Sequence, residues 1–127
     1  MSPHTRAMIA AATFAVITGK KVAGIYDHAA GQRLKIAAEC RGDQLQGFDG
    51  DRGAKFGGTL PEIYDAGDQS YVSITIDGAS ASGHDRASAG DYSARVADGV
   101  VQLYDYAEDA WFAYDVQDPD KARSFHR

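Results

Sequence analysis

The chain has 127 residues, room for one hydrophobic core and too few for two domains. A net charge of −5 with no run of lysine or arginine argues against a nucleic-acid-binding face, and one cysteine, Cys40, excludes an intramolecular disulfide framework. No apolar run reaches the roughly 18–20 residues that cross a bilayer as a helix, which predicts no transmembrane segment.

Residues 2–19 read as the one helical segment. Ser2 suits the N-cap, Pro3 the first helical position and Gly19 the position just past the end. Lys20 and Lys21 follow, favourable beside the negative end of the helix dipole. The intervening run is rich in alanine and apolar nearly all round, which predicts burial. Its polar positions Arg6, Thr13 and Lys20 lie seven apart, in one narrow stripe expected to face an opening. The same stretch has the length of a signal-peptide core with Arg6 as its charged start. Two locations follow: cytoplasmic if the caps frame a structural helix, which is the favoured reading, and secreted or periplasmic if residues 1–24 are a signal peptide.

From Val22 onward a short pattern returns five times: Ile25-Tyr26-Asp27, Gly47-Phe48-Asp49, Ile63-Tyr64-Asp65, Gly83-His84-Asp85 and Leu103-Tyr104-Asp105. Eight residues after each ring stands Leu34, Phe56, Val72, Tyr92 or Phe112. Alternation follows, as in Leu34/Ile36/Ala38 against Lys35/Ala37/Glu39, the mark of a strand with one buried face. Glycine- and aspartate-rich turns lie between, so each repeat reads as a β-hairpin whose aspartate closes an Asx-type turn. The residue before the ring alternates between bulky and glycine, which predicts a bulge, a bend or the close approach of another backbone at Gly47 and Gly83. Pro61 suits a strand start or an edge, and Asp98-Gly99 a tight turn.

The expected fold is therefore mainly β. Five hairpins over residues 22–116, about ten strands, form a strongly curved antiparallel meander or loosely closed barrel. An alanine-rich helix, roughly 10 Å across with its side chains, fills the interior that so many strands leave. Residues 117–127 form a polar tail, and the whole chain reads as a single domain. Ala23 with Ile25, Val101 with Leu103, and Leu45 and Ile63 are assigned to the core face; Cys40 shares the apolar register and reads as a buried, inert thiol. The rings Tyr26, Phe48, Tyr64, His84 and Tyr104 then point outward, beside Gln46, Glu62, Ser82 and Gln102.

That outward row is the candidate binding surface, for self-association or for a protein or glycan partner, because aromatic rings offer flat apolar faces. The bland reading is cross-strand pairs that stabilise the sheet. The neighbours His84-Asp85 and Asp27-His28 point to opposite faces and make poor acid–base pairs. The acidic turns Asp49-Gly50-Asp51, Asp65 with Asp68, and Asp118-Pro119-Asp120 lack a calcium-loop pattern and read as solvated turns. The histidines and Cys40 lack zinc spacing, and no cofactor or catalytic signature is present. These features favour a non-enzymatic binding module. The alternatives are a small-molecule carrier, should the helix be removed or displaced, and an enzyme using a His–Asp pair.

The stretch Tyr26-Asp27-His28-Ala29-Ala30-Gly31-Gln32-Arg33-Leu34 resembles the Tyr-Asp-x-x-Gly-Arg-Leu repeat of Rhs and teneurin shells, with extra residues before Gly31 and before Arg33. The other copies share only the aromatic–Asp pair. The period of about twenty is also similar to that of choline-binding hairpins, without their Gly-Trp pattern. The resemblance extends to hairpin architecture, and no activity is carried across on it.

Overall fold

A computed structural model describes residues 1–117. Asp118-Pro119-Asp120 and the rest of the expected tail lie outside the described residues. The chain opens with helix α1, Pro3–Thr18. Ser2 Oγ accepts the Thr5 N–H at 3.2 Å, and Gly19, at φ 70°, donates its N–H to the Ala15 carbonyl. The caps therefore fall where the sequence places them. Every residue from Thr5 to Ala15 is buried, as an apolar circumference demands. Among the described residues no helix is long and apolar enough to cross a membrane.

Eleven strands follow: β1 (Val22–Asp27), β2 (Gln32–Arg41), β3 (Gln44–Asp49), β4 (Ala54–Thr59), β5 (Glu62–Asp65), β6 (Ser70–Ser73), β7 (Thr75–Asp77), β8 (Ser80–Asp85), β9 (Gly90–Ala97), β10 (Val100–Asp105) and β11 (Ala110–Val116). Among the described residues every strand pairing is antiparallel. The first hairpin meets the last through β1 and β11, where Ile25 faces Val116. The other seam closes between β6 and β8, where Val72 faces Asp85. Ten strands thus form a barrel, and β7 lies outside it as an eleventh. Thr75 faces Ser82 in the register already set by Val72 and Asp85, so β7 prolongs the line of β6 past the barrel wall.

The helix occupies the interior. Met8, Ile9 and Phe14 pack in one cluster with Ile36, Leu45, Ile63, Leu103 and Tyr114 of the wall. Burying side chains of this size stabilises by about 1.5–3 kcal/mol each, while the helix alanines keep the rod narrow enough to enter.

Three expectations about orientation change. Ala23 does not share the core face with Ile25: the ladder slips at Gly24, φ 133°, so Val22 is buried and Ala23 exposed. One extra residue in a strand reverses the faces beyond it. Arg6 and Thr13 do not line an opening either. Both are buried; Arg6 bonds the Met1 carbonyl at 2.7 Å and Asp105 at 3.2 Å, and its guanidinium lies 3.8 Å from the Phe112 ring centroid. Cys40 is only half-buried, its thiol donating to the Gly42 carbonyl.

The repeat aspartates are the larger correction. They are not solvated: Asp27, Asp49, Asp65, Asp85 and Asp105 are all buried at one rim. Each accepts the backbone N–H two residues on, from Ala29, Asp51, Gly67, Ala87 and Ala107, which is the Asx turn read from the sequence. Four residues past each aspartate the backbone is left-handed, at Gly31, Gly53, Gln69, Ala89 and Asp109. Buried carboxylates need partners, and the rim supplies them. Arg52 bridges Asp49 at 2.6 Å and Asp65 at 3.1 Å, Arg6 bonds Asp105 and Ser88 donates its hydroxyl to Asp85; beside them Thr5 donates its hydroxyl to half-buried Asp68. The helix carries no acid in its own first turn; Asp68 and Asp105 of the rim provide negative charge beside its positive end instead.

Candidate functional site

The outer surface follows from strand register. In every hairpin the ring faces the residue seven positions later: Tyr26 faces Arg33, Phe48 Lys55, Tyr64 Tyr71, His84 Asp91 and Tyr104 Trp111. On the other flank four of the rings have short neighbours: Asp115 beside Tyr26, Ala37 beside Phe48, Gly57 beside Tyr64 and Ser93 beside Tyr104. All five rings lie on the outer face, Phe48 45% and Tyr64 39% exposed.

These rings form a belt around the barrel and not one patch. They stand two strands apart, about 10 Å at ordinary strand spacing. Tyr26, Tyr64, His84 and Tyr104 therefore make separate local pairs. Tyr64 and Tyr71 meet edge to face at 5.1 Å, Tyr104 and Trp111 at 5.2 Å, Tyr26 and His28 at 5.0 Å. Tyr104 also donates its hydroxyl to Asp109, and that bond raises its phenol pKa above the ordinary value. The histidines find carboxylates across the ladder, not beside them in sequence. His84 Nδ1 is 2.7 Å from Asp91 and His28 Nε2 3.0 Å from Asp115, all four side chains largely open to solvent. Among the described residues no three His, Cys, Asp or Glu side chains are placed to hold a metal ion.

One pair of rings is brought together. Phe48 and Tyr64 flank a trough of about 880 Å³ on the outer side of β2 to β5, with Ala37, Gly57 and Ala66 along its floor. Gly57 lies opposite both Gln46 and Tyr64. Its φ is 150°, and a Cβ there would stand 2.3 Å from the Leu45 carbonyl oxygen. Only glycine permits that approach, and its missing side chain opens the floor. Gln46, Glu39, Lys21 and Lys55 supply polar groups around it. Glu39 is occupied by its neighbours: Arg41 bonds it at 3.2 Å and Lys21 lies 3.6 Å away. The Arg41 bond holds its carboxyl below the ordinary range.

Sequence reasoning named Phe48 and Tyr64 without seeing that they share a trough. It missed Tyr71, Tyr106 and Trp111, which are 45%, 56% and 55% exposed. A usable signal existed for Tyr71 and Trp111, since the position seven past each ring is polar, charged or aromatic in every copy: Arg33, Lys55, Tyr71, Asp91 and Trp111. No family model, no curated protein and no solved structure matches this chain.

Proposed function

We propose that the protein is a non-enzymatic binding module whose ligand seat is the outer trough between Phe48 and Tyr64. The observation that carries this reading is a shallow, largely open trough in which two exposed rings, Phe48 and Tyr64, flank Ala37, Ala66 and the bare backbone of Gly57. Its volume lies within the range typical of ligand pockets, and its mix of apolar lining with a few polar groups is the usual composition. Tyr64, already braced edge to face by Tyr71, loses little freedom on binding, which favours affinity.

The carrier alternative requires the helix to leave, since α1 side chains occupy the interior. The double variant Phe48→Ala/Tyr64→Ala tests the trough. Removing two aromatic anchors is expected to cost at least about 2 kcal/mol of binding, while the lost Tyr64–Tyr71 contact lowers stability by only about 0.5–1.5 kcal/mol. Light scattering and partner capture are the readouts, with thermal melting as control. A folded double variant that associates as the parent does would overturn the proposal.

A further inference from the structure

The charge around the trough says what sort of ligand it takes. The chain as a whole is acidic, at −5. Locally the balance is reversed. Lys21 and Lys55 line the trough, Arg41 lies just beside it, and Glu39 is the acid among them. Glu39 is shared between Arg41 and Lys21, and among the described residues Lys55 has no acidic partner. A cationic ligand would meet that excess positive charge, so the aromatic pair is not a cage for ammonium groups.

The surface also argues against a flat protein partner. A stable protein interface buries about 800 Å² on each side, whereas the exposed rings of this barrel are separated by charged and polar residues. A second depression of about 200 Å³, lined by Glu39, Arg41, Gln44 and Gln46, adjoins the trough through Glu39 and Gln46. The seat is therefore elongated, with stacking faces at one end and amide and guanidinium donors at the other.

Building on the binding reading above, we infer that the trough holds an acidic saccharide chain, with pyranose rings against Phe48 and Tyr64 and a uronate carboxylate on Lys55. Aromatic faces match the apolar face of a sugar ring. Gln46 offers both donors and acceptors to hydroxyls, and Gln44, whose Nε2 already donates to Thr59, offers its carbonyl oxygen. The free ammonium selects the acid, through a charge-assisted hydrogen bond that a neutral sugar cannot make.

Titration of the full chain with hexagalacturonate, and separately with cellohexaose, tests this by backbone-amide NMR. Saturable shifts at Gln46, Gly57 and Tyr64 are expected with the uronate, weakening as salt rises. Phe48→Ala and Tyr64→Ala should each weaken binding about tenfold. Lys55→Gln should weaken the uronate about tenfold and leave any cellohexaose binding nearly unchanged. Equal affinity for cellohexaose, or no loss in Lys55→Gln, overturns the acidic assignment. If neither saccharide binds while Phe48→Ala/Tyr64→Ala abolishes partner capture, the saccharide is wrong and the trough still stands as the seat. If neither binds and capture also survives the double variant, both readings fall.

Discussion

The Phe56 ring lies where a side chain on Gly47 would have to be. A Cβ built on Gly47 comes 2.2 Å from Phe56 Cζ, and the two residues face each other across β3 and β4. Tyr92 treats Gly83 in the same way, with Cε2 at 2.8 Å from the notional Cβ. The alternation before the ring motif is thus a packing code. Glycine stands where the facing residue lays an aromatic ring over the backbone, and Ile25, Ile63 and Leu103 stand elsewhere. Phe112 faces Leu103 and escapes the rule because its ring lies under Arg6.

Gly47→Ala should therefore destabilise by about 1–3 kcal/mol, the usual cost of overpacking. Urea unfolding of Gly47→Ala, Phe56→Leu and the double variant forms a cycle. The double variant should recover part of the loss, because a shorter side chain no longer covers Gly47. Gly83→Ala should cost more, since its Cβ would stand 1.8 Å from the Ser73 carbonyl oxygen, which is backbone and cannot swing aside. Equal, additive losses in the Gly47/Phe56 cycle would contradict the packing code.

The turns carry a second prediction. Ala89 and Gln69 hold φ 57° and 53°, positions that Gly31 and Gly53 fill in the first two hairpins. A side chain in the left-handed region costs roughly 1–2 kcal/mol, offset in part by the larger unfolded-state entropy of glycine. Ala89→Gly and Gln69→Gly should each stabilise by up to about 1 kcal/mol, and Gly53→Ala should destabilise by a similar amount. Thermal melting of the three variants reads this directly. A lower melting temperature for Ala89→Gly would contradict it.

How much of this was legible follows from what each signal depends on. The helix caps and the Asx turns are local, and a few residues in a row specify them. The outward rings followed from alternation because the strands are regular up to each aspartate. Gly24 broke that inference for Ala23, since a bulge leaves no mark beyond a glycine. Burial of the aspartates was invisible, because for Asp65 and Asp105 it depends on Arg52 and Arg6 arriving from other elements, and for the others on how the rim closes around the turn. The trough was invisible for the same reason: Gly57 becomes a floor only when β3 and β5 stand on either side of it.

Thr13 supplies a third prediction. Its hydroxyl is fully buried in the helix and has no hydrogen-bond partner among the described residues. An unpaired buried hydroxyl costs about 1–3 kcal/mol. Thr13→Val keeps the shape and branching while removing the polar atom, so it should stabilise by about 1 kcal/mol in urea unfolding. Thr13→Ser, which keeps the hydroxyl and opens a gap, should destabilise. A Thr13→Val variant weaker than the parent would show that the hydroxyl has a partner.

Arg52 and Asp65 give a prediction in pH. Burial raises the Asp65 pKa above its ordinary value of 3.8, while the Arg52 charge and the Gly67 N–H pull it back down. A carboxyl with a raised folded pKa binds more protons folded than unfolded. Its ionisation therefore opposes folding, a cost fully present above the folded pKa and relieved as pH falls toward 3.8. Removing Arg52 strips the carboxylate of its largest compensating charge and moves the folded pKa further up. Arg52→Gln should cost about 3–5 kcal/mol at neutral pH, the usual loss when one partner of a buried ion pair is deleted. That cost should shrink as the pH drops through the raised pKa, because protonated Asp65 no longer needs a cation. Urea unfolding of parent and variant at neutral pH and near pH 4 compares the two. A deficit that is the same at both would mean that Arg52 does not act by neutralising the Asp65 charge.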